Sequence, residues 1–262
     1  MRVRSIAVLS LSSVLVTFGA LAAACSSSTT ETPATDAGTA ETGTSDVGQP
    51  AANEAKQTGK IIGAIDKLEV PGVTVSIDGK TATTKGDGTY EIIVPKDKPY
   101  TMSVFGEGYY KLNEQEWILK KDSLARGDTS LLSVDTANLL ASFLPGRDKA
   151  KGVLVVKVQP IPPCDDEGGS TLTIEPAGDS KTVYFEGGRP NVNAKSAEKG
   201  ASFSAAVYNV ETGVNIKVNV VSPKCNVIPY PFDQADVTYT GNQKTEPGEV
   251  LSYVRAFIGP LK

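Results

Sequence analysis

The chain has 262 residues, with 26 Lys+Arg against 30 Asp+Glu for a net charge of −4, three cysteines and no histidine. An acidic surface with no basic stripe repels phosphate backbones, so nucleic acid is excluded as a partner. Lack of imidazole excludes Ser-His-Asp and Cys-His catalysis and the usual histidine-based metal sites, and no GxGxxG or GxxxxGK loop occurs, so neither a metal nor a cofactor is expected.

Residues 1–24 carry Arg2 and Arg4, then run without charge from Ser5 to Ala24 and end on small residues. That is the layout of an export signal; the run is too short and too serine-rich for a membrane span. Without those two arginines, 24 basic residues face 30 acidic ones, a net charge of −6. The stretch LAAACSSST follows the oily run. Ala22-Ala23-Ala24-Cys25 resembles the lipobox of bacterial lipoproteins, with Leu21 one place earlier than that family's usual leucine. The resemblance implies that Cys25 becomes the first mature residue, with a diacylglycerol on its sulfur and a further acyl chain, such as palmitate, on its amino group. Ser26 then implies sorting to the outer membrane, so the membrane is a partner through the N-terminal lipid. One acyl chain holds only marginally, at about 0.8 kcal/mol per methylene, whereas two or three hold firmly. The other reading is a soluble secreted protein cut near Ala24, with Cys25 incidental.

Residues 25–57 read as a tether. Val47 is its one large aliphatic residue, and ETPATDAG at Glu31–Gly38 half-repeats as ETGTSDVG at Glu41–Gly48. Nothing there offsets the entropy of ordering. A flexible chain of this length reaches about 30 Å.

Residues 58–120 change to a period of two. Val73, Val75 and Ile77 fall on one face against Thr74, Ser76 and Asp78, and Asp78-Gly79 is a tight-turn signal. Tyr90, Ile92 and Val94 alternate likewise, as do Tyr100, Met102 and Val104; KIIGAI and WILK supply further strands. The stretch 59–110 resembles the carboxypeptidase regulatory-like domain, a prealbumin-like β-sandwich. Gly63, the second-strand run Gly72 to Val75, Thr84, Gly88, Tyr90 and the closing Tyr100 to Tyr109 carry the likeness. It implies a fold and an accessory or surface role, not a chemistry.

Residues 121–150 read as a connecting piece with one short helix. Leu139, Leu140, Phe143 and Leu144 form its stripe, Ser133 or Asp135 its cap, and Pro145-Gly146 its end. Residues 151–262 again show short strands broken by Gly-Gly and proline turns. Val214, Ile216, Val218 and Val220 share one face in GVNIKVNVV. A divergent copy of the first unit is one reading of this half. The expected fold is therefore all-β: two small antiparallel sandwiches, prealbumin-like or Ig-like in architecture, joined by one helix.

Cys164 and Cys225 sit beside proline-rich turns in this second half. If Cys25 is acylated, they remain to pair, and an exported protein permits the bond; two free buried thiols are the alternative. Asp165, Asp166 and Glu167 lack the alternating spacing of a calcium loop and read as a solvated turn. Tyr109, Tyr110, Trp117, Tyr230 and Phe232 are candidate binding aromatics, set against a structural role at the sandwich ends. The expected function is that of a non-catalytic, envelope-anchored structural or interaction module that meets envelope proteins or glycans. A carbohydrate-binding module using the loop aromatics is the alternative, and a paired-carboxylate glycoside hydrolase the third.

Overall fold

The computed structural model describes residues 49–262. The export signal, Cys25 and the tether as far as residue 48 lie outside the described residues. Strand β1 (Glu54–Gly63) begins inside the stretch expected to be tether. Ala55 and Gln57 are fully buried in it. Gln57 Nε2 donates to Tyr90 Oη at 3.0 Å, and Gln57 Oε1 accepts from Tyr100 Oη at 3.0 Å. The end of the tether therefore moves back to before Glu54. An amide satisfied at both ends is buried at little cost, which polarity alone does not reveal.

Strands β2 (Thr74–Ile77) and β3 (Lys80–Thr83) form a hairpin. Its turn residues Asp78 and Gly79 both have positive φ, 48° and 78°, as a type I′ turn requires. Strands β4 (Thr89–Pro95), β5 (Pro99–Tyr100), β6 (Met102–Phe105), β7 (Lys111–Glu114) and β8 (Trp117–Leu119) follow. The alternating residues face inward as expected: Val75, Ile77, Tyr90, Ile92, Val94, Met102 and Val104 are all buried. The first part of the connecting piece is not a linker but a strand, β9 (Ser123–Leu131), paired parallel to β1. Only Thr129 and Leu131 are buried in it, so its conformation comes from the ladder rather than from its own apolar pattern. Helix α1 (Val134–Ala141) follows, with Ser133 as its N-cap.

Strands β10 (Gly152–Pro160), β11 (Thr171–Glu175), β12 (Lys181–Glu186), β13 (Arg189–Asn191) and β14 (Ala205–Val210) open the second half. Then come β15 (Lys217–Val221), β16 (Cys225–Val227), β17 (Phe232–Gln234), β18 (Val237–Tyr239) and β19 (Val250–Leu261). The fold is all-β with one helix among the described residues. A single large sheet, ordered β13-β12-β14-β10-β19-β7-β6-β2-β3 with β16 also on β19, runs through both halves. Smaller sheets, β4-β1-β9, β11-β15 and β17-β18-β8-β5, cover it.

Two principal cores form, but the sequence does not divide between them at the connecting piece. Val237, Tyr239 and Phe257 complete the first core beside Val75, Met102 and Leu119. Leu154, Val156, Val207 and Ile216 build the second around Cys164 and Cys225. The expected antiparallel pairing holds for most strands; β1–β9, β10–β19 and β19–β7 are parallel. Parallel neighbours need long connections, and these come from the same long-range returns that interleave the halves.

The Cys164–Cys225 disulfide is present, with Cα atoms 6.1 Å apart and 61 residues of separation. Closing a loop of that length removes unfolded-state entropy worth about 4 kcal/mol. Replacing both cysteines with alanine should lower unfolding free energy by about 2–5 kcal/mol in a urea titration; an unchanged midpoint at the same slope would contradict this. Burial raises the pKa of the phenols of Tyr90, Tyr100 and Tyr253 and pushes Tyr230 up to about 12. Their folded pKa values lie above the unfolded value, so the stability they contribute is present below about pH 10 and is lost as pH rises toward 12. With no histidine to titrate, the unfolding midpoint should hold steady from about pH 6 to 9 and then fall. Spectrophotometric titration of these tyrosines near pH 10 with the fold intact would contradict the assignment.

Candidate functional site

Helix α1 is tied down at its middle and beyond its end. At its middle, Tyr110 Oη donates to Asn138 Oδ1 at 2.8 Å, while at its start the Thr136 N–H donates to its own Ser133 cap at 3.3 Å. Beyond its end, Tyr208 Oη donates to Pro145 O at 3.1 Å, and Asn209 Nδ2 to Gly146 O at 3.0 Å. The inward stripe is Ala137, Leu140, Ala141 and Leu144, while Leu139 and Phe143 of the expected stripe are exposed. Helical spacing permits either face, and the two anchors select the one with the alanines.

Between the anchors the helix stands off the sheet and leaves a cleft of about 290 Å³. Its floor is one face of three strands in register: Val153 and Val155 of β10, Leu251 and Tyr253 of β19, and Leu112 of β7. Phe185, Phe203 and Ala206 close one side. A sealed void of this volume would cost on the order of 7 kcal/mol, comparable to the stability of a whole domain. The alanines of the roof, Ala137 and Ala141, leave the space unfilled.

The floor ends in charge. Arg126 Nη2 pairs with Glu114 Oε2 at 2.5 Å, both side chains nearly buried, and the guanidinium lies 4.4 Å from the Trp117 ring. Burial alone would lower the Arg126 pKa; Glu114 and Tyr90 together outweigh it and hold the group charged. Lys157, opposite Arg255 in the β10–β19 register, pairs with Glu167 at 2.6 Å. Arg255 lines the cleft between these pairs. Its Nη1 donates to Tyr239 Oη at 2.8 Å, and its guanidinium lies 5.9 Å and 5.7 Å from the Tyr239 and Tyr253 rings. Among the described residues no carboxylate lies within 4.0 Å of it. Arg255 thus has no carboxylate partner; Lys67 and Arg147 on the same cleft also lack one among the described residues, and Asp128 lines it as a second carboxylate beside Glu114. Arg147, also on the cleft, has a buried Nε without a partner.

Of the aromatics expected as candidate platforms, Tyr110 alone borders the cleft. Tyr110 and Trp117 are 2% and 4% exposed, so neither offers a face to a ligand. Trp117 stands beside Tyr100 and Tyr239, at 5.5 Å and 6.3 Å between centroids. Tyr109 is half-buried against the first core. Tyr230 and Phe232 pack there too, with Phe232 4.7 Å from Phe257 and Tyr230 donating to Arg255 O. These rings fill the join between the two halves, where the interleaved strands leave room for bulky groups. The acidic turn is ion-paired: Asp166 accepts from Lys224 and from Gly168 N–H at 2.7 Å, which holds its carboxyl below the usual range. Cys25 lies outside the described residues. The cleft itself was missed, although Arg255 is the one charge in LSYVRAFI and falls in line with Leu251, Tyr253 and Phe257.

No protein family matches the chain, and no curated protein is similar to it in sequence. Among solved structures, the chain is similar to the Bacillus anthracis TIE protein at 12% identity and a TM-score of 0.24, over 79% of this chain and 34% of that one. It is similar to the Streptococcal ancillary pilin at 11% identity and a TM-score of 0.25, over 80% and 63%. The third is the shaft pilin SpaA from Lactobacillus rhamnosus GG, at 10% identity and a TM-score of 0.22, over 80% and 99%. The chain thus spans about a third of the first protein and less than two thirds of the second.

Proposed function

We propose that this chain is a non-catalytic bacterial lipoprotein, held in the outer membrane by acyl groups on Cys25, that displays one rigid β body as a structural or interaction module. The observation that carries the reading is the pairing of Cys164 with Cys225 inside the second core. It fits an oxidising, extracytoplasmic setting. It also accounts for two of the three cysteines, so Cys25 is the third, next to the export signal. The acyl chains fix the protein, the tether gives reach, and the β surfaces meet envelope proteins or glycans.

Residues 59–110 serve in this reading as a carboxypeptidase regulatory-like module, with residues 151–262 as its divergent copy. The pairing of the first strand in each half supports the copy. β1 has antiparallel β4 on one side and parallel β9 on the other. β10 has antiparallel β14 and parallel β19. The carbohydrate-binding reading draws no support from burial of Tyr110 and Trp117. A glycosidase reading would need two cleft carboxylates free to act, and of Glu114 and Asp128 the first is taken up by Arg126.

Metabolic labelling with a fatty acid should mark the wild-type protein and leave Cys25→Ser unmarked. Equal labelling of both, or a mature chain that begins upstream of Cys25, would defeat the anchoring claim.

A further inference from the structure

We infer that the cleft beneath α1 is a binding site for a small amphipathic carboxylate, its apolar body between helix and sheet and its carboxylate on Arg255. This does not depend on acylation of Cys25. Apolar side chains from both sides, Leu140 and Leu144 above and Val155 and Leu251 below, give the body its surroundings. A cavity of about 150 Å³ admits benzene, so about 290 Å³ suits a molecule of roughly ten to fourteen heavy atoms.

The head group follows from the charges on the cleft: Lys67, Arg147 and Arg255 have no salt bridge among the described residues, against Asp128 as the one carboxylate there without a cation. Arg126 and Lys157 each have their own carboxylate at 2.5 Å and 2.6 Å. Arg255 has the neutral hydroxyls of Tyr239 and Tyr253, two ring faces and Glu114 at longer range, but no carboxylate within 4.0 Å among the described residues. A guanidinium cannot shed its proton to escape this setting, and an incoming carboxylate supplies the missing partner through a planar two-toothed contact. Thr129 and Ser130, neighbours in β9, also border the cleft, and one of their hydroxyls suits a carboxylate's second oxygen. An ammonium head would face Arg255 with like charge, and an alcohol would leave the guanidinium unpaired.

The test is isothermal titration of the full chain carrying Cys25→Ser, which dispenses with detergent, with decanoate, naphthoate, decanol and decylamine. At least one of the two acids should bind; decanol should bind about tenfold or more weakly than decanoate, and decylamine not measurably. Whichever acid binds more tightly shows whether the body is alkyl or aryl. Arg255→Gln should weaken the acids about tenfold and leave decanol unchanged. Ala141→Phe, which puts a ring into the cleft from the roof, should abolish acid binding while circular dichroism stays native. It decides the matter if Arg255→Gln does not fold. Absence of acid binding up to about 1 mM, equal binding of acid and alcohol, or full binding by a folded Ala141→Phe would overturn the assignment.

Discussion

Strand β19 faces two cores at once, and most of the structure is arranged around that constraint. On one face Val254, Ala256 and Ile258 enter the second core. On the other, Leu251 packs with the small cluster of Phe185 and Tyr208, Tyr253 and Arg255 line the cleft, and Phe257 enters the first core. Both of its long ladders are parallel, to β10 and to β7, and its far end takes β16 with the disulfide. A strand buried on both faces cannot be withdrawn from one core without stripping the other. The two halves are therefore joined by a shared sheet, not by a linker.

The cleft is a by-product of that joining which the sequence keeps open. Where the first core ends and the small cluster begins, β19 and its neighbours present a floor that neither half covers. Helix α1 crosses it on two anchors and fills it only in part. The charges at the cleft end sit where the interleaved halves meet. Glu114 comes from β7, Arg126 from β9, and Arg255 from β19. Burying such groups is costly unless each finds a partner, so the paired Arg126 and Glu114 beside an Arg255 without a carboxylate partner mark this spot chemically.

What the sequence disclosed was local. The alternation through Val73–Ile77 and Tyr90–Val94, the Asp-Gly turn and the Ser133 cap all appear where the pattern placed them, because each is settled within a few residues. What stayed hidden was non-local. β9 has little apolar character, and its strand conformation depends on the ladder with β1. Gln57 is buried because two tyrosine hydroxyls from other strands reach it, or are reached by it. Trp117 is internal because Val237 and Tyr239 return from far along the chain to pair with β8. One long-range signal was legible in part: Val254, Ala256 and Ile258 alternate with Leu251, Tyr253 and Phe257. Apolar residues on both faces mark a central strand, not a sandwich edge.

Native-state hydrogen exchange across a denaturant series measures the sharing of β19 most directly. If the strand joins the cores, the slowest amides of β4, β10, β14 and β19 should merge into one isotherm with a single free energy and slope. Two separate isotherms, with the strands of one core opening while the other stays protected, would contradict the account.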